Sequence, residues 1–260
     1  MIHPTAIIHP SAKIGANASV GAYAIVEEGV ELGEGCVLAA HAIVRRGSIL
    51  GRGVRVDSFA VIGGDPQDLK FNLATLSGVR IGDRTVLREG ATVHRSTKAG
   101  GFTEVGADVL LMGCSHVGHD CQVGARVVMA NCALLAGHID VGEGSFLSGG
   151  TVFHQFIRIG EGVMVSGNAR LGLDVPPFTL AAERNELHGL NLVGLRRRGC
   201  DAATIAELKK LYLAVYQSGS PKANAAASHA KTELGKKFLA FFAGGKRGFL
   251  RPVKSGSIEN

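Results

Sequence analysis

Counting in sixes from Ile2 lands on Ile8, Ile14, Val20, Val26, Leu32, Leu38, Val44, Leu50, Val56 and Ile62, every one aliphatic. The register resumes at Ile81, Leu87 and Val93. It resumes again at Val105 and runs through Leu111, Val117, Val123, Met129, Leu135, Val141, Leu147, Phe153, Ile159, Val165 and Leu171. A period of six is neither helical nor a simple strand alternation. It predicts a hexapeptide solenoid, in which short strands form flat sides, the aliphatic residue points inward and the small residue after it lets the chain turn. Three hexads close one triangular coil, so residues eighteen apart stack at about the 4.8 Å spacing of paired strands.

Two interruptions are predicted to be loops leaving a corner: Gly64 to Gly78, and a short flexible stretch within 95–104. Loops carried on a rigid scaffold are favoured places for function. After Pro176-Pro177 the register ends, so residues 1–177 are expected to form the β-helix and 178–260 an α-helical domain. In the latter, Asp201 is expected to cap a helix reaching Tyr216, with Ile205, Leu208, Leu211 or Tyr212, and Val215 on one face. Ala223 to Leu234 and Lys236 to Phe242 read as further helices.

Composition sharpens this picture. There are 37 glycines among 260 residues, only 7 prolines and no tryptophan, which suits many tight turns and excludes collagen. A 46% apolar fraction excludes a disordered chain. No signal peptide and no stretch of bilayer length are apparent. Five cysteines without a CxxC pair suggest reduced thiols and a cytoplasmic location. The formal charge of +6 favours an acidic partner. Nucleic acid fits poorly, because the basic residues lack interleaved aromatics for base stacking.

The candidate chemistry lies in His116-Val117-Gly118-His119-Asp120-Cys121, Gly137-His138 and His154-Gln155. A step of eighteen puts Gly137 over His119 and His138 over Asp120. Histidine has the near-neutral pKa a general base needs, a carboxylate can fix its tautomer, and a glycine N–H can meet a developing oxyanion. A zinc site of His116, His119 and His138 is the rival; histidines three apart on a strand-like corner diverge, so no metal is expected. His3, His9, His41, His188 and His229 read as ordinary surface residues.

With these pieces in order, the chain resembles the bacterial UDP-N-acetylglucosamine O-acyltransferases of the first step of lipid A biosynthesis. The resemblance rests on the hexads, Pro66 to Phe71 (PQDLKF), HVGHDC, Ala136-Gly137-His138, Phe153 to Phe156 (FHQF), Asp174 to Phe178 (DVPPF) and Gly189 to Gly199 (GLNLVGLRRRG). It implies a homotrimer of left-handed parallel β-helices, each with a C-terminal α-helical domain. It implies transfer of an acyl chain, usually 3-hydroxyacyl, from acyl carrier protein to the glucosamine 3-hydroxyl of UDP-N-acetylglucosamine, with no cofactor. His119 matches the general base, Asp120 its orienting partner and Gly137 the oxyanion amide. Gln67, Asp68 and Lys70 match substrate residues on the loop, Asp68 and Lys70 reaching the sugar nucleotide of a neighbouring subunit. His94, His116, His138, His154 and Gln155 match pocket residues. Asn191, Arg197 and Arg198 match the nucleotide end, where two fixed guanidiniums would suit a pyrophosphate. Gly167 matches the acyl-chain ruler, with Met164 a second candidate; a small residue at 167 predicts a longer preferred chain.

Acyl carrier protein is acidic, so Arg170, Lys236, Lys237, Lys246, Arg247 and Arg251 are candidates for its landing site. Two segments depart from the family pattern: Ala182-Glu183 where a Gly-Asn pair is usual, and the stretch after Lys70. They leave a 3-amino sugar nucleotide as an alternative acceptor. The paralogous N-acyltransferase is disfavoured, because hexads begin at Ile2 and Asp120, not asparagine, follows His119. A zinc-dependent carbonic-anhydrase-like solenoid and a non-catalytic trimeric scaffold are the rivals of other classes.

Overall fold

The inward aliphatic positions build a three-sided prism. A computed structural model describes residues 1–253 and contains three parallel sheets of nine, eight and eleven strands, the third with one antiparallel partner near its end. The last seven residues of the expected 178–260 domain lie outside the described residues. The first sheet opens with Ile7–Ile8, the second with Lys13–Ile14 and the third with Ser19–Val20. Each strand pairs with the one a coil away, as in Ile7 with Ile25, Lys13 with Glu31 and Ser19 with Val37. Val26, Leu50, Ile62, Leu111, Leu135 and Val165 lie along the interior, almost wholly shielded from water. Two-residue strands would not persist alone; burial of this ladder, at about 25 cal/mol per Å² of apolar surface, holds them.

The corners carry the strain. Left-handed backbone occurs at Asn17, Tyr23, His41, Asp120, His138, Phe156 and Asn168, among others. Each such non-glycine residue costs about 1 kcal/mol, accepted because the sides on either hand are fixed by pairing. At Gly118 the next coil comes so close that a Cβ would lie 2.7 Å from the carbonyl carbon of Ala136 and 2.8 Å from the Gly137 nitrogen.

The eighteen-residue step is broken twice. Val61 pairs with Thr92, thirty-one residues on, and Thr92 with His116, twenty-four residues on. The extra residues are looped out between Val61–Gly64 and Gly78–Ile81, and between Thr92–His94 and Phe102–Val105. Both loops therefore leave the end of the first sheet at the same corner, one coil apart.

Past residue 177 the chain does not turn directly to helix. Thr179–Ala182 extends the third sheet beside Met164–Val165, Glu186–Leu190 returns antiparallel, and Arg251–Pro252 adds a final strand. The helices are α1 (Leu192–Arg197), α2 (Ala202–Tyr216), α3 (Pro221–Ala227) and α4 (Glu233–Phe241). Asp201 caps α2 by accepting from the Thr204 N–H at 2.7 Å, and Leu208, Leu211 and Val215 face inward. The helix expected over 223–234 ends at Ala227. The Glu207 carboxylate takes the N–H groups of Lys231 at 2.6 Å and Thr232 at 2.9 Å, and Thr232 caps α4. Phe178, Leu195, Leu208, Phe238 and Phe242 form a second core. Arg158 bolts it to the solenoid. It pairs with the fully buried Asp174 at 2.8 Å, donates to the Phe241 carbonyl at 2.9 Å and lies over the Phe241 ring at 4.2 Å. Among the described residues no helix is long and apolar enough to cross a membrane.

Candidate active site

His119 and Asp120 occupy the corner between the first and second sheets, after the His116–Val117 strand. The His119 Nδ1 lies 2.9 Å from Asp120 Oδ2. Gly137 lies against the imidazole: a Cβ there would fall 2.5 Å from Cε1 and 2.6 Å from Nε2, so only glycine leaves the ring in place. No acceptor among the described residues takes the Gly137 N–H. His138 stands edge-on to His119, ring centroids 4.9 Å apart, and stacks on Phe156 at 4.6 Å. Its Nε2 is 3.8 Å from Asp120 Oδ2. The stacking of 137 over 119 and 138 over 120 is thus present in three dimensions.

Asp120 is only 8% exposed. Burial pushes its carboxyl up, but the Ser96 and Thr97 hydroxyls, His119 and the Thr97 N–H together hold it well below the usual carboxylate range. Ser96 Oγ donates to Oδ1 at 2.5 Å; Thr97 Oγ1 and N donate to Oδ2 at 2.6 and 3.2 Å. The Asp120 N–H itself donates to Thr103 Oγ1 at 2.7 Å. Sequence reasoning missed Ser96, Thr97 and Thr103. The six extra residues of the second loop make the step from Ser96 to Asp120 twenty-four rather than eighteen.

Burial lowers the pKa of each neighbouring histidine. Burial, with help from the His94 and His119 charges, lowers His116 to about 4, and its Nδ1 meets Thr92 Oγ1 at 2.7 Å. His94 packs edge-on against His116 at 4.6 Å and is lowered by burial and by His119. His138 is lowered by burial, against the pull of Asp120. His119, Asp120 and His138 bring ligand atoms within 4.8 Å of one another, whereas His116 turns away to Thr92. A cation would have to displace donors already on both Asp120 oxygens, so the set fits a proton relay better than a metal.

Other sequence candidates are distributed over several faces. Gln67, Asp68 and Lys70 lie exposed on the first loop, where the Lys70 N–H donates to Asp68 Oδ1 at 2.9 Å. The Asp68 carboxylate acts on His138 of its own chain, opposing the drop in that imidazole's pKa. His154 and Gln155, a coil above Gly137, line a cavity of about 620 Å³ with Arg170 and Arg184, and Arg247 approaches His154 Nδ1 at 3.0 Å. Asn191, Arg197, Arg198 and Met164 lie on the third-sheet side, around a separate cavity of about 660 Å³.

Two of the expected nucleotide residues also make contacts within the chain. Asn191 caps α1 and donates to the Gly162 carbonyl at 3.1 Å. Arg198 pairs with Glu161 and donates to the Glu143 carbonyl, both at 2.9 Å. Of the two guanidiniums expected to face a pyrophosphate, Arg197 alone lacks a carboxylate partner among the described residues. Gly167 sits at the corner between the third and first sheets. A Cβ there meets nothing nearer than the Gly149 carbonyl at 3.5 Å, so the backbone does not demand glycine.

Comparison with known proteins agrees with this architecture. Residues 11–46 match the bacterial transferase hexapeptide family (six repeats), and residues 174–250 match UDP-N-acetylglucosamine O-acyltransferase, domain 2. The acyl-(acyl-carrier-protein)–UDP-N-acetylglucosamine O-acyltransferase of Chlorobaculum parvum is 55% identical over 209 residues, covering 77% of this chain and 79% of that one. That of Thermodesulfovibrio yellowstonii is 39% identical over 257 residues, 96% of this chain and 99% of its own. The chain belongs to the UDP-N-acetylglucosamine O-acyltransferase family. The crystal structure of the Francisella novicida UDP-N-acetylglucosamine acyltransferase matches it with a TM-score of 0.94 at 31% identity, covering 100% of this chain and 97% of that one. The family's fold, a β-helix of hexapeptide repeats followed by a helical domain, is therefore this chain's fold.

Proposed function

We propose that this acyltransferase moves a (3-hydroxy)acyl chain from acyl carrier protein to the glucosamine 3-hydroxyl of UDP-N-acetylglucosamine, the first step of lipid A biosynthesis. One observation carries the reading: the His119 ring, tied to Asp120 at 2.9 Å, lies against a glycine whose N–H has no acceptor among the described residues. With Nδ1–H directed at Asp120, Nε2 is the free acceptor. It takes the proton of the sugar hydroxyl as that oxygen attacks the thioester carbonyl carbon. The carbonyl oxygen becomes an oxyanion, met by the Gly137 N–H. Collapse restores the carbonyl as an ester and breaks the carbon–sulfur bond. The thiolate of the carrier's arm leaves and regains a proton from the imidazolium. Asp120, kept ionised by its donors, stabilises that cation between the two transfers.

The homotrimer belongs to the same proposal. One chain holds His119, Asp120, Gly137 and His138 at one corner, Arg197 and Met164 on the third-sheet side, and Gly167 at another corner. A second copy packed alongside would bring its third-sheet side to the first copy's His119 corner. The resting protein is placed in the cytoplasm, where acyl carrier protein and the sugar nucleotide are found.

The test is transfer by the purified protein between UDP-N-acetylglucosamine and a panel of 3-hydroxyacyl carrier proteins, with His119→Ala alongside. Ester formation that disappears in the variant is expected. A folded wild type that acylates nothing with any donor would overturn the acceptor, and the 3-amino sugar nucleotide would be assayed next.

A further inference from the structure

Three consecutive residues, Arg95, Ser96 and Thr97, connect the two halves of the site. Arg95 is 1% exposed, the largest fully buried side chain of the described residues. It works entirely on the first loop. Its Nε donates to Asp65 Oδ1 at 2.8 Å, Nη2 to the Leu73 carbonyl at 3.1 Å, and Nη1 to the Thr75 carbonyl and to Ser77 Oγ. The guanidinium also lies 4.7 Å from the Phe71 ring centre. These contacts fall on both sides of Gln67, Asp68 and Lys70, so they fix the arc that presents those residues. Ser96 and Thr97 face the other way and supply three of the donors on Asp120. Ser77 closes the bracket, donating to the Ser96 carbonyl at 2.5 Å while accepting from Arg95.

Resting on the proposed acyl transfer, we infer that Arg95, Ser96 and Thr97 are positioning residues: Arg95 sets the substrate-binding loop, and Ser96 and Thr97 set Asp120, hence the direction in which His119 accepts its proton. The two effects are chemically separable. Loosening the loop weakens ground-state binding and raises KM. Removing a donor from Asp120 leaves the loop intact and lowers kcat. The carboxylate then holds the imidazolium more tightly, so the acid limb of the pH–rate profile moves to higher pH.

Thr97→Val and Ser96→Ala should lower kcat about tenfold, by misplacing the base, with KM for the sugar nucleotide within about twofold. The acid limb should rise in both, and Thr97→Ser should restore wild-type behaviour. Arg95→Lys keeps the charge for Asp65 but cannot span Asp65 and the Leu73 and Thr75 carbonyls together. It should raise KM about tenfold with little change in kcat. Ser77→Ala, a milder change that keeps Arg95, should move both parameters. Two readouts need no turnover. The downfield proton resonance of the His119 Nδ1–H should shift in Thr97→Val and Ser96→Ala but stay in Arg95→Lys. Hydrogen exchange over residues 65–77 should quicken in Arg95→Lys and Ser77→Ala alone. An inactive wild type with these spectral and exchange patterns intact would sink only the assigned reaction. Unchanged resonance and exchange, or KM and kcat moving together in every variant, would overturn the positioning roles.

Discussion

At the residue scale, the site depends on the absence of one methyl group. Gly137→Ala would place a Cβ 2.5 Å from the His119 ring, which must swing away from Asp120 or from its substrate. Loss of the alignment of the proposed base and proposed oxyanion amide should lower kcat by about 10²–10³, while thermal unfolding shows the chain still folded. Gly167 is the opposite case. Gly167→Met has room for its Cβ, so Tm should hold; as the proposed ruler it should shorten the preferred acyl chain, read by profiling donors of graded length. His116 gives a pH signature. Its folded pKa, about 4, lies below the ordinary 6.5, so on acidification the unfolded chain takes up the proton first. Stability is full above about pH 6.5 and falls between there and about pH 4, by on the order of 3 kcal/mol from this group. Unfolding midpoints measured from pH 7 to 4.5 should drop more steeply in wild type than in His116→Gln. Pairs such as His119 with Gly137 were legible because the coil step converts sequence distance into spatial contact. Arg95, Ser96 and Thr97 were not, because the looped-out residues change that step where they sit. The contacts of Asn191 with Gly162 and of Arg198 with Glu161 were not legible either, because no coil step links those partners.

At the element scale, the solenoid was legible almost strand by strand, since a single inward position per hexad meets a uniform apolar environment. The helical segments obey a weaker signal. The α2 helix is bounded by Asp201 and carries a clear inner face, so it could be read. The gap between α3 and α4 could not, because what ends the apparent 223–234 helix is Glu207, twenty-four residues from Lys231, catching its amide. α1 went unread because it is one short turn and a half. Thr232 now has two tasks, capping α4 and donating to Glu207. Thr232→Ala should cost about 1–2 kcal/mol, visible as a lower denaturation midpoint with an unchanged slope.

At the scale of the whole molecule, a rigid prism holds reactive groups at its corners and a helical domain is fixed to one end by Arg158 and Asp174. If the site is completed by a second copy, variants damaged on different faces should rescue one another. Co-expressed His119→Ala and Arg197→Ala chains, each inactive or impaired alone, should form mixed assemblies with part of the wild-type rate; no rescue would place both groups in one chain's site. The eighteen-residue period also constrains how such a molecule can change its length. Removing a whole coil shortens the prism and leaves every later face pointing as before. Removing one hexad would still put an aliphatic residue at each inward position and so would fold, yet it would turn everything after the cut by a third of a revolution. The interior would be blind to the error, and only the alignment of faces between copies would register it.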